Sequence, residues 1–142
     1  MLTWSPLIFV LLMTPVCGMA LVLGGWEARV LGGLYMAACL LSLAAEHQPW
    51  SGPQWAITAI DAAYLAVSIA VVGRSTKAWP ILVAAMQLLT IGAHLAFVLA
   101  KGRLGVDGYL TVLALWSYGI VGCLAHGLAR SSPIAVLRRG VP

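Results

Sequence analysis

Five apolar stretches, residues 4–23, 28–45, 55–73, 79–100 and 109–129, are each 18 to 22 residues long, and away from their edges they hold one charged side chain, Asp61. A helix rises about 1.5 Å per residue, so each stretch matches a hydrocarbon core of roughly 30 Å. Soluble domains carry about 25% charged residues. This chain has 8%, with 62% apolar residues and a mean hydropathy of +0.99, which excludes a soluble domain. The connectors, 24–27, 46–54, 74–78 and 101–108, are too short to fold separately. The sequence therefore predicts one all-α integral membrane domain over residues 1–142. Its form is an up-and-down bundle of about five transmembrane helices with antiparallel sequential neighbours, followed by a basic tail at 130–142.

The first stretch reads as a span and not as a signal peptide, because the first basic residue is Arg29, beyond the whole apolar run. Pro15 within it predicts a kink, since it leaves a carbonyl without its usual donor. Five spans put the termini on opposite sides. Arg29, Arg74, Lys77, Arg130, Arg138 and Arg139 then share one side, against Lys101 and Arg103 on the other. The richer side is expected to be cytoplasmic, with the N-terminus outside and the C-terminus inside, in the inner membrane of a bacterium. Trp4, Trp50 and Trp55 at the outer boundary and Trp26 and Trp79 at the inner one read as an aromatic belt.

The basic residues are scattered over the ends of apolar segments, so no nucleic-acid-binding face is expected. Cys17, Cys39 and Cys123 lie inside spans without Cys-x-x-Cys spacing and read as small buried residues, with no metal set. His126 at the inner boundary and the adjacent Glu46 and His47 read as interfacial. A bis-histidine haem is disfavoured by the unequal depths of His47 and His94. Motifs of hydrolases, metalloproteases and nucleotide-binding loops are absent, and no enzyme is expected. The sequence names no cofactor.

Asp61 is the place where chemistry could reside, because a carboxylate in mid-span costs roughly 2.5 to 3.5 kcal/mol and must find a partner or a wet pocket. Folding the third and fourth spans into a hairpin about Lys77 brings Asp61 level with His94 and Ser68 level with Gln87. Tyr64 and Thr90 lie on the same helix faces. A second hairpin about Leu104 and Gly105 brings Trp116 level with His94. The candidate ligand or proton site is therefore Asp61, His94, Gln87, Ser68, Tyr64 and Trp116. Small residues recur at close spacing, among them Ala59, Ala62, Ala63, Ala66 and Ala70, Gly92 and Ala96, and Gly119 and Gly122. They offer more close-packing faces than five helices need and point to a homo-oligomer or to other membrane-protein subunits as partners beside the lipid bilayer. The first functional expectation is a non-catalytic accessory or assembly subunit of a larger membrane complex. The alternative is a small oligomeric transporter or ligand-binding protein using Asp61 and His94 as a proton or cation site.

Overall fold

A computed structural model describes residues 6–45, 54–100, 103 and 105–131. These form five helices, α1 (Pro6–Leu23), α2 (Trp26–Ala45), α3 (Trp55–Val72), α4 (Trp79–Leu99) and α5 (Val106–Ser131), with no strand among the described residues. Four of them, α2 to α5, are long and apolar enough to cross a membrane; the apolar stretch of α1 found by the same criterion, Ile8–Leu23, is shorter. Trp4, Trp50, Glu46, His47, Lys101, Arg138 and Arg139 lie outside the described residues.

Each helix packs on its neighbour in sequence, and α1 closes the ring against α5. The helix pairs are antiparallel. As the α4 position falls from His94 to Met86 to Trp79, its α5 partner rises from Tyr109 to Gly119 to Gly127. Leu31 of α2 meets Tyr64 of α3, and Glu27 meets Ser75 beyond the end of α3. The core runs along the middle of the ring through Met13, Cys17, Ala20, Leu31, Val83, Ile120 and Leu124. The exterior is also apolar, with Leu11, Val22, Leu40, Leu41, Ile69, Leu88, Leu95, Leu99 and Leu115 exposed, a surface suited to lipid and not to water.

Where the backbone is tight, glycine decides. Gly32 lies so close to α1 that an added Cβ would sit 2.6 Å from the Ala20 Cβ. The Cys17 backbone is 3.8 Å from the same point, so α1 and α2 cross almost backbone to backbone at Gly32, while Gly24 keeps the turn between them tight against the Ala20 carbonyl and Ala28. Helix α1 continues through Pro15, and the Thr14 hydroxyl donates to the Val10 carbonyl at 2.7 Å. Ser68, Thr90 and Thr111 also donate to the carbonyl four residues back, which satisfies a hydroxyl without leaving its own helix.

Two boundary residues differ from the sequence reading. Trp26 and Trp55 are exposed at helix starts as a belt requires, but Trp79 is 4% exposed, its indole laid against Gly127 of α5. Glu27, expected in a solvated connector, is 3% exposed. Its carboxylate accepts from Lys77 Nζ at 2.9 Å and from the Ser75 hydroxyl at 3.1 Å. The link between α3 and α4 folds over the start of α2 and buries the Glu27 carboxylate, a closure between segments 48 and 50 residues apart in sequence.

Candidate functional site

Helical periodicity builds the polar seam. On α3, Tyr64, Ser68 and Val71 form the inward face, with Asp61 one turn before Tyr64; on α4 the buried face carries Val83, Gln87, Thr90, His94 and Phe97. The Asp61 carboxylate is held from two sides. Its Oδ2 lies 2.9 Å from His94 Nε2, and its Oδ1 accepts from Gln87 Nε2 at 2.9 Å. The same Gln87 nitrogen donates to the Asp61 backbone carbonyl at 3.0 Å. His94, 3% exposed, is met on its other nitrogen, Nδ1, by the Tyr109 hydroxyl of α5 at 2.6 Å. The Tyr109 ring stacks on Phe97, with centroids 4.2 Å apart and planes at 18°.

The hydrogen-bond roles follow from counting donors. Gln87 Nε2 can only donate, so Asp61 Oδ1 accepts. With neutral His94 protonated on Nε2, that proton goes to Oδ2 and Nδ1 is free to accept from the Tyr109 hydroxyl. Every proton then has an acceptor, and in this assignment both Asp61 oxygens accept. Among the described residues Asp61 meets His94, neutral in this assignment, and Lys77 meets Glu27, so no described Lys or Arg contacts the Asp61 carboxylate.

Asp61 faces a cavity of about 230 Å³ at the centre of the ring, to which all five helices contribute. Its polar wall is Tyr35, Ser42, Asp61, Gln87, Thr90 and Ser117; its apolar wall includes Phe9, Val10, Leu43, Ile57, Leu110 and Leu113. The Asp61 side chain is 20% exposed and His94 stands behind it, away from the cavity lining. The wall is braced by backbone contacts: the Tyr35 hydroxyl donates to the Ser117 carbonyl at 3.2 Å and the Tyr64 hydroxyl to the Leu31 carbonyl at 3.1 Å. No group of three His, Cys, Asp or Glu able to hold a metal occurs among the described residues.

The structure joins Asp61, His94 and Gln87 and separates the other three residues of the sequence-derived site. Ser68 does not pair with Gln87: its hydroxyl donates to the Tyr64 carbonyl at 2.8 Å, while Gln87 is committed to Asp61. Tyr64 is buried but serves as the link to α2. Trp116 is not level with His94. Helix α5 begins at Val106, three residues before the expected span, so the turn is centred earlier; Tyr109 meets His94 and Trp116 lies deeper, outside the cavity lining. Tyr109 was legible only as the first residue of an apolar run. A polar aromatic there, directly after a Gly-rich connector, was the signal that could have marked it.

No family model, curated protein or solved structure matches the chain.

Proposed function

We propose that this protein is a small membrane protein that binds a small organic cation, or an amine in its protonated form, in the cavity beside Asp61, in exchange for a proton. The observation that carries this reading is the placement of Asp61, a carboxylate with no Lys or Arg in contact among the described residues, on the wall of a cavity otherwise largely apolar. An intramembrane carboxylate is retained at a cost and needs compensation by a positive charge or a proton. A bare divalent ion would want six or more oxygen ligands, whereas aliphatic and aromatic walls around one anion suit a cation with an apolar body.

The hydrogen-bonded chain behind Asp61 supplies the proton. A proton arriving at the Tyr109 oxygen releases the tyrosine's own proton to His94 Nδ1, and the Nε2 proton passes to Asp61 Oδ2. Tyr109 and His94 end neutral, His94 in its other tautomer, and Asp61 ends as a carboxylic acid. Protonation and cation binding therefore compete for one negative charge. The proton enters from the α4 to α5 connector, the end assigned to the exterior by the basic-residue count, and the chain crosses the bacterial inner membrane with five spans.

A calorimetric titration of the purified protein with tetraethylammonium tests this reading. Binding is expected to weaken as pH falls and, at a pH where Asp61 carries a proton, to release that proton to the buffer. Asp61→Asn should abolish it while the variant keeps or gains thermal stability, because the hydrogen bonds survive and a buried charge is removed. Equal binding by a stable D61N variant contradicts the proposal. The accessory-subunit reading has its own support: Ala59, Ala62, Ala63, Ala66 and Ala70 of α3 are all exposed, a face on which another helix could pack closely. A stoichiometric partner retained in mild detergent with no cation binding would favour it.

A further inference from the structure

At the opposite end of the bundle from Tyr109, a second cavity of about 510 Å³ lies between the start of α4 and the last turns of α5, lined by Lys77, Trp79, Ile81, Leu82, His126 and Arg130. Lys77 gives one of its ammonium protons to Glu27 and retains two further donors. Helix α4 begins here with Ala78 at its cap position; Pro80 has no N–H and the Ile81 amide is bonded to the Ala78 carbonyl, so the helix contributes its dipole's partial positive charge and not a cluster of free amides. The buried Trp79 side chain forms part of the cavity wall.

The cavity's other side is apolar and faces outward, with Ile81 53% and Leu82 48% exposed. A basic recess continuous with a lipid-facing apolar surface is shaped for an amphiphile. We propose that it binds the phosphate headgroup of an anionic phospholipid among Lys77, His126, Arg130 and the α4 terminus, with an acyl chain along Ile81 and Leu82. The same positive groups could attract free phosphate, but free phosphate gains nothing from the apolar wall.

The test is native mass spectrometry of the full chain in mild detergent, titrated with dioctanoyl phosphatidylglycerol, dioctanoyl phosphatidylcholine and inorganic phosphate. Phosphatidylglycerol is expected to bind about tenfold more tightly than either of the other two. Arg130→Gln should weaken it about fivefold, and H126Q with R130Q about tenfold, with the melting temperature unchanged. Arg74→Gln, which removes an exposed basic residue of the same end outside the cavity, should leave affinity as it is. Three results overturn the proposal: equal affinity for phosphatidylcholine, equal affinity for inorganic phosphate, or a loss in R74Q as large as in R130Q. Both replaced residues are exposed; R130Q alone decides if the double variant does not fold.

Discussion

Lys77→Ala is expected to lower stability by roughly 2 to 3 kcal/mol. Glu27 is 3% exposed and depends on Lys77 for its charged partner, so truncation leaves a buried carboxylate with only the neutral donors of the Ser75 hydroxyl and its own backbone amide. Breaking a buried pair costs about 3 to 5 kcal/mol. Because the Lys77 side chain is 40% exposed, water screens the pair and the loss falls to the bottom of that range or just below it. Glu27→Gln leaves only a solvated ammonium behind and should cost less, about 1 kcal/mol. The double variant E27Q/K77A should be more stable than K77A alone. Thermal unfolding of the three variants in one detergent checks the order, and strictly additive losses would show that the two residues do not act as a pair.

Gly32→Leu is expected to be as damaging and to act through the cavity as well. The neighbour that an added Cβ meets is the Cβ of Ala20, itself fully buried, with the Cys17 backbone close behind at 3.8 Å, so no flexible tip can move aside. Gly32→Ala should cost about 1 to 3 kcal/mol and the leucine variant more. Helix α1 must move away from α2, and α1 contributes Phe9 and Val10 to the cavity, so cation binding should fall together with stability. This pairing of losses distinguishes it from Asp61→Asn. Gly92→Leu, at an exposed position with nothing within 4 Å, is the matched control and should melt as the parent does.

The helices and the Asp61 contact with His94 were legible because both rest on short-range geometry. Span length follows from the apolar runs, and a hairpin with a five-residue connector leaves little freedom for the register of α3 on α4. The register of α5 on α4 was not legible, since nothing in residues 101–108 shows that the helix resumes at Val106. An error of that size moves a side chain by a full turn or more, enough to exchange Tyr109 for Trp116. Gln87 was placed on the correct face but with the wrong partner: its long side chain converges with His94 on one carboxylate, a choice that level-matching of backbones does not reveal. Glu27 and Trp79 were missed for a third reason. Their burial depends on where the α3 to α4 link and the end of α5 come to rest, which is a property of the assembled ring. The charged residues at span ends are therefore not all solvated.

The competition of proton and cation for Asp61 is measured most directly by acid-minus-base infrared difference spectra of the protein in lipid bilayers. The account predicts a carboxylic-acid carbonyl band that grows as pH falls, is suppressed by tetraethylammonium and disappears in Asp61→Asn. In Tyr109→Phe the band should reach the same final intensity but rise more slowly after a pH jump, because the donor that feeds His94 is gone while the ring stack on Phe97 remains. A spectrum in which D61N removes no band, or in which the Asp61 band is indifferent to the cation, would contradict it.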